Sequence, residues 1–134
     1  MLDTNVLSEL RRKLPDPAVV EWFSRRPATT LHLSVLTLGE LRKGIQGVVD
    51  PARRMALTDW LETDLPGFFA GRILAVDAQV AHRWGRLVAG AGRPLPAIDS
   101  LLGATAAQHG LCVVTRNSRD FADLGLEVIN PWGD

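Results

Sequence analysis

Short apolar runs alternate along the chain with longer segments in which apolar residues return every three or four positions. The first kind reads as buried strand and the second as amphipathic helix. Their alternation predicts an α/β fold, a central and mostly parallel sheet of about five strands flanked by helices. Met1-Leu2 is the end of a first strand, and residues 31–35, 73–76, 111–115 and 127–129 supply the others. Asp16-Pro17 and Asp50-Pro51 each join a capping side chain to a proline suited to the first helical position. The second of these helices is predicted to run to about residue 64. Leu38, Leu41 and Ile45 share one face of a helix over 36–46. Asp77 caps another, striped by Val80, Trp84, Leu87 and Val88, and Gly90, Gly92, Pro94 and Pro96 mark the loop after it. Residues 98–109 form an apolar helix stopped by Gly110. Arg11, Arg12 and Lys13 form a short basic cluster after the Asp3 loop, read as a solvated helix end ahead of a phosphate contact. Only two residues precede Asp3, against five or six in an ordinary strand. The first strand is therefore expected to be truncated or to begin upstream of Met1.

A length of 134 residues with 46% hydrophobic content suits one globular domain, 1–134, with a core that needs no disulfide. No apolar run is long enough to span a bilayer and no secretory leader is visible. The single cysteine, Cys112, sits in an apolar run, so a reducing cytoplasm is the expected compartment. Fifteen basic residues balance fifteen acidic ones. That balance argues against a broad basic face for nucleic acid and leaves room only for a local basic rim or a partner.

Four acidic residues change the picture. Asp3 follows the first strand, Glu40 lies in the first turns of the helix after the second, Asp99 opens the apolar helix, and Asp120 follows the fourth strand. In a parallel sheet with right-handed crossovers, strand ends and the starts of the following helices lie at the same edge, where ligands gather. Carboxylates brought together there repel one another and call for a cation. Oxygen donors without a His or Cys cluster suit Mg²⁺ or Mn²⁺, the ions of phosphodiester hydrolysis. Each acid also has a local alternative. Asp3 could close a turn, and Glu40 could complete a capping box with Thr37. Asp99 could cap its helix, as could Ser100, and Asp120 could be a turn or N-cap residue. His32, His82 and His109 are too scattered to form a metal site. Arg42, Lys43, Arg116 and Arg119 lie near Glu40 and Asp120; their default reading is solvated charge, and some could contact the RNA backbone as a local rim. The tryptophans, Trp22, Trp60, Trp84 and Trp132, read as core or interface residues rather than base-stacking platforms.

The sequence resembles PIN-domain toxins of the VapC and FitB type from type II toxin–antitoxin systems. Leu2-Asp3-Thr4-Asn5-Val6-Leu7-Ser8-Glu9 is similar to the opening motif of that family, and Leu38-Gly39-Glu40-Leu41-Arg42-Lys43-Gly44 to the second. Residues 96–106, around Asp99, are similar to the third. Residues 114–121 and the ending Ile129-Asn130-Pro131-Trp132 resemble the FitB-like branch. The resemblance implies a PIN-domain fold and an endoribonuclease dependent on Mg²⁺ or Mn²⁺. It also implies a homodimer that forms a heterotetramer or larger assembly with a VapB-like antitoxin. DNA would be bound only through that antitoxin, and no membrane is involved. By position, Asp3 and Asp99 are then the principal metal ligands. Glu40 and Asp120 complete the catalytic site, Asp120 through water, and Thr4, Asn5, Thr115 and Asn117 support them by hydrogen bonds. The expected activity is hydrolysis of RNA phosphodiester bonds. The alternative is a FitB-like member of a DNA-binding complex with little nuclease activity of its own. A nuclease for structured DNA would need an arch or clamp for which the chain has no room.

Overall fold

The computed structural model describes residues 1–133; Asp134, the last residue of the expected domain, lies outside the described residues. Met1 and Leu2 sit at the middle of a parallel sheet. Leu2 bridges Val114 in parallel, with Asp3 N donating to Val114 O (2.8 Å) and Val114 N to Met1 O (2.8 Å). On that side β3 (Val113–Val114) pairs in parallel with β4 (Val128–Ile129). On the other, Leu2 N donates to His32 O (2.9 Å) beside β1 (Leu33–Ser34), which pairs in parallel with β2 (Ile73–Leu74). The order across the sheet is therefore β2, β1, Met1-Leu2, β3, β4.

The strands are much shorter than the apolar runs suggest. Ser34 is the last residue of its ladder and also caps the next helix, its side chain accepting from Leu36 N, and Thr115 turns its hydroxyl into the site described below. Backbone bonds still run past the strand ends, from Val113 N to Glu127 O and from Thr115 N to Ile129 O.

Residues next to each other in the strands face opposite sides. Leu2, Leu33 and Val114 join one core cluster; Met1 and Val113 join the other. The first cluster is covered by α1 (Thr4–Leu10), α2 (Pro17–Ser24), α3 (Val35–Gln46), α4 (Pro51–Asp59) and α5 (Leu65–Phe68), with a π-helical turn, Trp60–Asp64, between the last two. The second is closed by α7 (Ala97–Gln108) and α8 (Ser118–Ala122), while α6 (Ala78–Gly90) packs along α7. Asp16, Asp50 and Asp77 cap their helices as expected, and Gly110 takes the left-handed conformation, φ +65°. Trp22, Trp60 and Trp132 pack on the first cluster. No helix is long and apolar enough to cross a membrane among the described residues.

Two helices correct the sequence reading. The loop expected at Asp3 is the start of helix α1, which ends at the basic cluster as expected: Asp3 caps it, Arg11 closes it, and Val6, Leu7 and Leu10 press its inner face against the core. Residues after Thr115 form helix α8, anchored by the fully buried Phe121. Both helices are too short to show a clear period.

Close packing between α7 and the chain after α8 sets one expectation. A Cβ at Gly103 would meet Leu124 Cδ1 at 3.0 Å and Leu126 Cδ1 at 3.1 Å. Gly103→Val adds two further methyls there and is expected to cost about 1–3 kcal/mol, read as a lower urea midpoint at unchanged slope.

Candidate active site

Asp3 stands where the central strand ends and α1 begins, and it is 5% exposed. One carboxylate oxygen accepts from Thr4 N (2.7 Å) and the other from Thr115 Oγ1 (2.7 Å). Thr115 is fully buried and works as a hub. Its oxygen also accepts from Asn5 Nδ2 (3.2 Å) and Asn117 N (3.0 Å), while Arg116 N reaches Asn5 Oδ1 (3.5 Å). Thr4, Asn5, Thr115 and Asn117 thus form one hydrogen-bonded frame around Asp3.

Glu40 lies in the second turn of α3 and accepts from Thr4 Oγ1 at 2.6 Å. The capping-box alternative for Thr37 and Glu40 is overturned, since the cap of α3 is Ser34. Asp99 is in the first turn of α7 and Asp120 in the first turn of the exposed α8. Asp99 is not a cap, because that position belongs to Pro96. Ser100 instead donates back to Pro96 O (2.7 Å) and accepts from Trp84 Nε1 (2.9 Å).

Asp3, Glu40 and Asp99 line one open cleft of about 430 Å³. Burial pushes the Asp99 carboxyl above its ordinary value, and the negative charges of Asp3, Asp120 and Glu40 push it further. Asp3 is also raised by burial, against the pull of its Thr115 and Thr4 hydrogen bonds and with the help of Glu40. Asp120 does not line the cleft, but its charge reaches Asp99. Among the described residues none of the four acids takes part in an ion pair. Nor do three His, Cys, Asp or Glu side chains stand close enough together to hold a metal ion as they are. The donors facing the cleft are oxygens, and the uncompensated charge is the kind a divalent cation relieves.

The four basic residues singled out from the sequence separate. Arg116 lines the cleft. Arg42 is held by Glu62 at 2.8 Å, Lys43 lines a neighbouring cavity behind Glu40, and Arg119 is exposed on α8 outside the cleft. Ser8, Glu9 and Trp132 line the cleft and were missed, and Arg12, weighed only as the less favoured phosphate contact, lines it too. Thr4 and Ser8 are four residues apart in α1, so recognising it as a helix would have revealed Ser8; Arg12 lies just past the helix end. Arg12 pairs with the buried Glu9, which also accepts from Asp16 N (3.0 Å) and ties α1 to the start of α2.

The frame makes a direct prediction. Thr115→Val keeps the shape and removes the hydroxyl, leaving Asp3, Asn5 and Asn117 each short of a partner. A loss of about 1–3 kcal/mol of stability and weaker Mn²⁺ binding are expected, measured by urea denaturation and calorimetry.

The PIN-domain family model matches residues 1–126. The chain is 38% identical over 135 residues to VapC ribonuclease Y4jK of Sinorhizobium fredii, covering 98% of this chain and 96% of the other. It is 36% identical over 137 residues to toxin FitB of Neisseria gonorrhoeae, covering 100% and 99%. The crystal structure of FitAcB from the same organism superposes with a TM-score of 0.92 at 35% identity, covering 99% and 98% of the two chains. A DNA-bound VapBC of Salmonella typhimurium is also similar, with a TM-score of 0.79 at 27% identity over 98% and 96%. The chain belongs to the PIN-domain family, as a VapC-type toxin.

Proposed function

We propose that this protein is a metal-dependent endoribonuclease, the toxin of a toxin–antitoxin pair. The observation that carries the reading is that Asp99 lies in the combined field of Asp3, Glu40 and Asp120 in an open cleft at the carboxyl edge of the sheet. The donor set fits Mg²⁺ or Mn²⁺: Asp3 and Asp99 are the principal ligands, and Glu40 and Asp120 complete the acidic site. When bound, the cation supplies charge neutralisation and Lewis acidity at a phosphate. The chain's own residues do the rest. Thr115 and Thr4 hold Asp3 and Glu40 in their orientations. Arg116 and Arg12, at the cleft wall, draw in the RNA backbone. Hydrolysis forms a bond from a water oxygen to phosphorus and breaks the bond to the leaving ribose oxygen in line.

The names of the similar proteins, a VapC ribonuclease, a toxin and a DNA-bound VapBC, support a VapB-like antitoxin as partner. In the proposed assembly a toxin homodimer joins antitoxin into a heterotetramer or larger complex, and contacts DNA only through the antitoxin. The place of action is the cytoplasm. A second reading is a FitB-like component with little nuclease activity, favoured by the zero net charge and the likeness to FitAcB.

Cleavage separates the two. Partner-free protein is incubated with mixed RNA and Mg²⁺ or Mn²⁺, with and without EDTA, beside Asp99→Asn. The ribonuclease reading expects cleavage that EDTA stops and that falls at least about a hundredfold in the variant. Equal inactivity of both proteins favours the second reading.

A further inference from the structure

Trp132 lines the candidate active-site cleft, and the guanidinium carbon of Arg116 lies 5.2 Å from its ring centroid. We infer that this stacked pair is a platform for an unpaired nucleobase of single-stranded RNA, next to the phosphate that the carboxylates address. The inference rests on the ribonuclease reading and specifies how the same site holds its substrate.

Position comes first. Arg11 stacks on Trp60 and Arg26 on Trp22 in the same manner, yet none of those four residues lines the cavity that Asp3, Glu40 and Asp99 share. Arg116 and Trp132 do.

The pair is also fixed relative to the carboxylates. Arg116 follows Thr115, whose hydroxyl holds Asp3, and its own N–H points to Asn5 Oδ1. Trp132 N donates to Asn130 Oδ1 (2.9 Å), Pro131 before it is buried, and the indole packs on the cluster that contains Leu2 and Val114. The central strand, Asp3 and the platform therefore share one rigid support.

Chemistry selects the ligand. Arg116 is exposed and presents a planar cation to the cleft, backed by an aromatic plane. Guanidinium and indole planes both stack on bases, and the positive charge suits the neighbouring phosphate. Such stacking needs a base that is not already paired, which selects single strands, loops or ends over duplex. A pair that only covered the C-terminal turn would be indifferent to whether a base is present.

The test uses fluorescence anisotropy in the Asp99→Asn background, so that the strand stays whole. Two labelled probes of equal length are titrated: a mixed-sequence oligoribonucleotide and its abasic counterpart. Trp132→Ala is expected to weaken binding of the base-bearing strand about tenfold or more and to leave the abasic strand unchanged. Arg116→Lys keeps the charge but loses the plane, and is expected to weaken the base-bearing strand selectively as well. Because Arg116 is exposed, that variant carries the test even if Trp132→Ala does not fold. Equal effects on both probes, or no effect on either, overturn the platform. If the unsubstituted cleft binds and cleaves RNA while the selectivity is missing, the platform alone falls. If it neither binds nor cleaves RNA, the ribonuclease reading falls with it.

Discussion

In Asp99→Asn protein the melting temperature is expected to rise in the absence of metal and to stop responding to Mn²⁺. Both effects have one cause. Asp99 and Asp3 hold their protons to higher pH in the folded chain than in the unfolded one, by burial and by repulsion, from Asp3, Asp120 and Glu40 on Asp99 and from Glu40 on Asp3. Folding stability therefore falls as pH rises from the ordinary carboxylate range through these raised values, and the penalty is complete above them. An asparagine at position 99 removes one negative charge and relieves the others. The wild type is expected to recover the loss by binding a cation: at a hundred times Kd, Mn²⁺ adds about 2.7 kcal/mol, or roughly 10 °C in a chain of this size. Scanning calorimetry with and without Mn²⁺, at pH 5 and pH 7.5, checks the signs. A metal-free variant less stable than the wild type at pH 7.5 would show that repulsion is not what Asp99 contributes.

Leu2→Ala is the second large effect. Leu2 is wholly buried in the first core cluster and is the residue through which the central strand bridges Val114. Its truncation leaves a cavity under the backbone bond that pins Asp3 to Val114. A cost of about 2–5 kcal/mol is expected, a large share of the 5–15 kcal/mol typical of a whole domain. The urea midpoint measures it, and Mn²⁺ binding should weaken in the fraction that still folds. A cost below about 1 kcal/mol would mean that the central strand is held by its backbone bonds alone.

The helices that begin with Asp16, Asp50 and Asp77 were legible because each announces itself locally, by a cap and in two cases a proline. The mostly parallel sheet and the shared edge for Asp3, Glu40 and Asp99 were legible because parallel crossovers leave few alternatives; the order of the strands was not. Helix α1 was not, since its cap, Asp3, is also a site residue and its seven residues are too few to establish a period. Strand lengths were misread for a related reason: Ser34 and Thr115 are polar ends of apolar runs, and each spends its side chain on a cap or a carboxylate rather than on the sheet. Arg42 lies two residues from Glu40 in sequence, but its partner Glu62 lies twenty residues on, a pairing that only the packing of α3 against the π-helical turn creates. Trp132 looked like a core residue and is one in part. Its second face, on the cleft beside Arg116, depends on how the chain end folds back over the sheet.

The proposed function stands on carboxylates from four separate elements forming one cation site at this cleft. Anomalous diffraction at the manganese edge, from crystals of the wild type soaked in Mn²⁺, tests it most directly. The expected result is a peak contacted by Asp3 and Asp99, with Glu40 and Asp120 around it, and no such peak in Asp99→Asn crystals treated alike. Manganese bound elsewhere, or a cleft that stays without a peak at millimolar Mn²⁺, would contradict it.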